Sequence, residues 1–218
     1  IKRSQSILQN ATPQNDLLVY WPYFDVAAAK FKHSNYTNID KGDDSEWFKN
    51  FPLARISEIL FNSGYNFDYI SDKQLLDSKL FNGDIHTSSG LTYKAIVVPN
   101  TKYIPDETMQ QFKKFIDEGA KVYFDKSLPE SVPGMFQLAS RHQKLEKIKN
   151  SISKKTHVGD VIELLGSSSI QGEESLLFNG FHYLKMKLDH ENWYMIFNCG
   201  NQKLDSWVQL NSKAKCYV

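Results

Sequence analysis

Leu17-Leu18-Val19-Tyr20-Trp21-Pro22 is the stretch on which the fold turns. Five apolar residues in a row, stopped by a proline, read as a strand buried on both faces, because a strand with one wet face alternates apolar and polar residues. Similar runs recur downstream: Phe67-Asp68-Tyr69-Ile70, Ala95-Ile96-Val97-Val98 ending at Pro99, and Lys121-Val122-Tyr123-Phe124. Strands covered on both sides need helices between them, and the intervening sequence supplies amphipathic stretches. Pro52 suits a first helical position, Leu53, Ile56 and Leu60 recur on one face, and Gly64 offers a left-handed stop. Upstream of it, Asp43 and Glu46 have capping-box spacing. The loop from Tyr23 to about Asp44 is expected to be irregular.

The next helix has Pro105 near its start, Asp106 and Glu107 in its first turn, and Gly119 after its end. Met109, Phe112 and Ile116 form its apolar stripe. A short helix over 73–78, a small hairpin over 83–93 with Ser89-Gly90 at its tip, and helices over 138–150 and 158–165 complete the first 166 residues. Alternation of strand and helix means a mostly parallel sheet between two helical layers. Four or five strands fit a flavodoxin-like three-layer sandwich of order 2-1-3-4-5, and are too few for an eightfold barrel.

After Gly166-Ser167-Ser168-Ser169 the pattern changes. Residues 182–188 alternate with period two, 189–192 read as a turn, and 193–198 and 207–210 read as further strands, with Trp193 and Trp207 expected in the sheet core. The division is therefore an α/β domain over 1–166 and an antiparallel β segment over 167–218. So small a β segment must pack on the first domain or on other sequence.

The chain has 218 residues, with 26 basic against 25 acidic side chains. That balance argues against nucleic acid recruited by bulk charge. No apolar run approaches the ~18 residues of a membrane span. The sequence begins Ile1-Lys2-Arg3-Ser4, which is expected of a piece of a longer protein. Two cysteines, Cys199 and Cys216, are too few for a disulfide scaffold, and both a bond and two free thiols stay open.

In an open parallel sheet, ligands bind beyond the carboxyl ends of the strands. The loop after the first strand, Trp21-Pro22-Tyr23-Phe24-Asp25, lacks the glycines and hydroxyls that cradle a phosphate, so no flavin or nucleotide cofactor is expected. Val98-Pro99-Asn100 carries no carboxylate for a phospho-receiver, and no cysteine precedes Cys199 for an amidotransferase nucleophile. Asn38, Asp40, Asp43, Asp44 and Glu46 read as capping and solvated residues rather than a calcium loop, and the six histidines are scattered, so no metal is expected. Asp72 reads as a helix N-cap. Asp25 stands at a strand end where it would line a site. No catalytic residue is assigned.

Residues 16–25, with their Leu-Leu-Val-Tyr-Trp-Pro-Tyr-Phe-Asp core, resemble the start of the flavodoxin-like, glutamine-amidotransferase-like module of large glycoside hydrolases of the α-L-rhamnosidase type, family 106. So do Gly64-Tyr65-Asn66-Phe67-Asp68-Tyr69-Ile70-Ser71-Asp72, Tyr93–Pro99, Gly119–Phe124 and Val132-Pro133-Gly134. The resemblance covers about residues 5–210, and the related module of bacterial β-galactosidases shares the fold. It departs at Val26-Ala27-Ala28-Ala29, where a bulkier, aromatic loop is the family's habit. The resemblance implies a bacterial, periplasmic or secreted parent. In it, a catalytic (β/α)₈ barrel precedes this module and β-domains follow, these being the module's partners. The fragment itself is then non-catalytic. Trp21, Tyr23, Asp25 and Trp47 are the candidate contact residues, toward the barrel or toward substrate. The alternative is an independent carbohydrate-binding domain for plant cell-wall glycan, using Trp21, Tyr23, Trp47, Trp193 and Trp207 as platforms.

Overall fold

A computed structural model describes residues 2–28, 51–189, 191–198, 200, 203, 205 and 207–211. Strand β2 (Leu17–Tyr20) is buried throughout and pairs in parallel with β3 (Phe67–Ile70) on one side and β7 (Ala95–Val98) on the other. Beyond β7 lie β8 (Lys121–Asp125) and β9 (His157–Gly159), giving a five-stranded parallel sheet of order β3-β2-β7-β8-β9. Period-two alternation splits each central strand between two cores. Leu18, Tyr20, Ile96, Val98, Val122 and Phe124 face one layer. Leu17, Val19, Ala95, Val97 and Tyr123 face the other. That is why these runs are apolar at every position.

Each layer is a set of amphipathic helices. On the second core packs α3 (Pro52–Asn62) through Leu53, Ile56 and Leu60, together with α7 (Val161–Gly166) through Val161 and Leu165. On the first pack α4 (Asp72–Asp77) through Leu75, α5 (Asp106–Asp117) through Met109, Phe112, Phe115 and Ile116, and α6 (Leu138–Ile152) through Leu145, Ile148 and Ile152. Gly64, at φ +78, follows α3, and a Cβ there would lie 2.7 Å from the backbone of Glu173. Glycine is required at that turn both by conformation and by space.

Several expectations change. The loop after β2 is not irregular from Tyr23, because Tyr23–Ala28 forms α2 with Asp25 in its first turn. The predicted helix from residue 158 begins only at Val161, behind the N-cap Asp160, whose carboxylate accepts the N–H groups of Ile162 and Glu163; the residues before it are the fifth strand. The hairpin is a three-stranded antiparallel sheet of β4 (Lys79–Phe81), β5 (Asp84–His86) and β6 (Thr92–Tyr93). Its first turn holds Asn82 and Gly83 both at positive φ, as a tight hairpin turn demands.

The C-terminal region pairs β10 (Phe181–Leu188) antiparallel with β11 (Glu191–Asn198). Their third partner is not 207–210, which forms no strand, but β1 (Thr12–Pro13), which follows helix α1 (Lys2–Asn10). Trp207 is fully exposed and Trp193 is 39% exposed, so neither is sheet core. A short helix, α8 (Glu174–Phe178), leads into β10. The expected helix start near Asp43 and both cysteines lie outside the described residues.

Candidate functional site

The sheet order reverses between β2 and β7, whose following helices α3 and α5 pack on opposite faces. An open α/β sheet has its ligand crevice at that point, beyond the carboxyl ends of the strands. Here Asp25 bridges it. Its two carboxylate oxygens accept the backbone N–H groups of Lys102, at 2.7 Å, and Tyr103, at 2.6 Å, both in the loop after β7. Burial pushes the Asp25 pKa up, and the two N–H groups pull against that rise.

The bridge continues across the edge. Lys102 O accepts the N–H groups of Glu130 and Ser131, and Ile104 N–H donates to Ser131 O at 3.0 Å. The carboxylate of Asp106, at the start of α5, receives Arg141 and Lys144 from α6, each at 2.9 Å. Burial opposes its ionisation, but the bonds from Lys144 and Arg141 outweigh that and hold its pKa below the usual carboxylate value. Arg141 also donates to Pro133 O at 2.8 Å.

Two other carboxylates near this edge, Asp72 and Asp125, are engaged with protein groups, whereas Glu130 beside Asp25 is exposed. Asp72 is not the N-cap of α4. Ser71 takes that position and forms a reciprocal capping box with Gln74. Asp72 Oδ1 instead accepts the hydroxyls of Tyr20, at 2.8 Å, and Thr108, at 2.5 Å, joining β2, α4 and α5. Burial, reinforced by Asp72, drives the Tyr20 phenol's pKa far up, so it stays a neutral donor. Asp125, at the end of β8, forms an ion pair with Arg55 at 2.6 Å, while its Oδ1 is buried without a hydrogen-bond partner. Among the described residues, no group of three or more His, Cys, Asp or Glu side chains is arranged to hold a metal ion.

The proposed contact residues separate. Trp21 is half-buried against the second core, with its ring edge-on to Tyr69 at 5.4 Å. Tyr23 is 55% exposed and edge-on to Phe24. Asp25 is the clasp, and Trp47 lies outside the described residues. Sequence reasoning missed a second place altogether. A cleft of about 770 Å³ opens between the end of α3, α8 and the start of β10, lined by Phe61, Asn62, Ser63, Glu174, Phe178 and His182 among others. His182 stacks on Phe61 at 5.2 Å and on Phe197 at 6.1 Å, and Phe178 is 90% exposed. No local pattern points to this cleft, because its rings come from separate elements.

Comparison with known proteins gives the chain its family. Residues 49–175, more than half of the chain, match the family model described as alpha-L-rhamnosidase, and the chain belongs to that family, glycoside hydrolase family 106. A protein from Formosa agariphila named putative beta-glucuronidase is 22% identical over 170 residues, covering 76% of this chain and 14% of that protein. The rhamnosidase from Novosphingobium sp. PP1Y superposes with a TM-score of 0.57 at 13% identity, over 90% of this chain and 18% of its own, which is a likeness of fold. The chain thus spans less than a fifth of the length of either relative.

Proposed function

We propose that the chain is a non-catalytic accessory module of a larger carbohydrate-degrading glycoside hydrolase. In this reading residues 1–166 are a flavodoxin-like α/β domain, and residues 167–218 begin a following β-domain. The module supports a neighbouring catalytic barrel of the same polypeptide, in a periplasmic or secreted enzyme. The observation that carries it is Asp25. The crevice where this architecture would hold a substrate is crossed by the protein's own hydrogen bonds to Lys102 and Tyr103. Hydrolysis of a glycoside needs two carboxylates free to cooperate across one bond. Here Asp25, Asp68, Asp72, Asp106 and Asp125 each accept bonds from protein donors. The test is turnover of aryl α-L-rhamnosides and aryl β-glucuronides. The chain alone is expected to give none, whereas the full-length polypeptide is expected to be active. Turnover by the chain alone, abolished by one substitution in it, would end this reading.

A second reading, a carbohydrate-binding module, is favoured by the cleft beside Phe61, His182 and Phe178, since flat exposed rings beside polar groups suit the apolar faces and hydroxyls of sugars. Saturable shifts of these residues' NMR signals on titration with cell-wall oligosaccharides, lost in Phe178→Ala, would support it.

A further inference from the structure

Residues 132–137 form the last part of the connection from β8 to α6 at the carboxyl edge of the parallel sheet, held by hydrogen bonds at the near end and running into α6 at the far end. Val132 is buried. Ser131 exchanges hydrogen bonds with Lys102 and Ile104, and Pro133 O is held by Arg141, itself fixed by Asp106. At the far end Gln137 sits at φ +46, a left-handed conformation that a side chain resists. Gly134, at φ +77, makes the intervening bend. Between these ends Met135 and Phe136 stand next to each other, 84% and 77% exposed. A slack loop would fold such side chains inward. This one is held so that they project, and a backbone strained at one residue to present apolar side chains is a mark of a binding element. The hydrogen bonds that hold the loop's near end lower the entropic cost a partner would have to meet.

We propose that Met135 and Phe136 form a ridge that docks into an apolar cleft on another domain of the same polypeptide. This rests on the reading of the chain as one module of a larger protein. The size of the ridge selects a tethered partner. Even with Tyr23 from the same edge, three large side chains that are 84%, 77% and 55% exposed offer roughly 400 Å², scaling from about 150–250 Å² for a fully covered aromatic. Separate molecules in stable association bury about 800 Å² each, so a second copy of this chain has too little to hold. A covalently linked domain meets the ridge at an effective concentration in the millimolar range, where a small contact suffices. The relatives leave room for such a domain, since the chain spans only 14% and 18% of their lengths.

The experiment is hydrogen exchange of the amides of residues 134–137, measured in this 218-residue chain and in the full-length polypeptide, with aryl-glycoside turnover assayed on the same samples. Exchange is expected to be at least about tenfold slower in the full-length protein. The double variant Met135→Asp/Phe136→Asp is expected to return it to the fast rate, and to shift the Tm of the 218-residue chain by less than about 2 °C, as a surface change does. A control, Phe178→Asp at the distant cleft, should leave the protection intact. Equal exchange in the two proteins overturns the proposal. So does protection in the full-length protein that survives the double variant. Dimerisation of the short chain through this loop, seen by sedimentation and lost in the double variant, overturns it in favour of a second copy. Protection without glycosidase turnover keeps the docking ridge and removes the accessory reading, whereas turnover without protection does the reverse.

Discussion

The parallel sheet and the β1-β10-β11 sheet solve the same burial problem to different degrees. In β2, β7 and β8 the side chains on both faces are buried, because helices cover the sheet above and below. In the antiparallel sheet, register puts His182, Leu184 and Met186 opposite Phe197, Met195 and Trp193, so one face is almost wholly apolar. Met186 is buried there, yet Leu184, Trp193 and Phe197 are each about two-fifths exposed. The opposite face is anchored by polar contacts. Tyr183 donates to Gly64 O at 2.6 Å, and Tyr194 donates to the buried Glu173 at 2.8 Å. One sheet has built its own core, while the other is attached at one side and carries apolar surface on the other.

Substitutions can break that contrast or sharpen it. The largest effect is expected for Phe124→Ala in β8, about 3–5 kcal/mol in denaturant unfolding, the range for a fully buried aromatic. Gly64→Ala comes next, at about 3 kcal/mol, because a left-handed φ and a backbone clash act together. It strikes the junction, so the antiparallel sheet should unfold first, and two separated transitions by NMR would show this. A single cooperative transition would mean the two sheets are not distinct in stability. Asp25→Ala leaves two N–H groups without their acceptor and should cost about 1–3 kcal/mol, with the amides of Lys102 and Tyr103 exchanging faster.

Acid should act selectively on the parallel sheet's helical layer. The pKa of Asp106 is lowered in the fold, so its contribution is present above the unfolded value of about 4 and is lost as pH falls through the folded value. The stability gap between wild type and Asp106→Asn should therefore narrow below about pH 4, as followed by denaturant midpoints across pH. The smallest effect belongs to Trp193→Ala, under about 1 kcal/mol, since much of that ring is already in water. A loss as large as that of Phe124→Ala would erase the contrast.

β2, β7 and β8 were legible because burial on both faces writes a nearly unbroken apolar run, whereas β3, an edge strand carrying Asp68 and an exposed Tyr69, is not buried on both faces as expected. β9 was not legible, being three residues, His157-Val158-Gly159, at the sheet's edge and directly before a capping aspartate. β1 has only Thr12 and Pro13, too short to show any period. At the site, Asp25 was singled out as a strand-end carboxylate; it lies in the first turn of α2, and its partners are backbone N–H groups 77 and 78 residues away, which no side-chain pattern announces. Ser71 and Asp72 are both good capping residues, and sequence does not rank neighbours. Only the depth of Tyr20 and Thr108 decides which of the two turns inward.

The pairing of β1 with β10 sets Thr12 beside Lys187 and Pro13 beside Met186. Everything between, the whole parallel sheet with its helices, is a loop whose entry and return are neighbouring strands. Such a unit can be spliced into a host polypeptide, or excised from it, without moving the host's ends apart, as tolerated domain insertions require. A graft made from residues 14–180, closed by a short linker, should keep its parallel sheet.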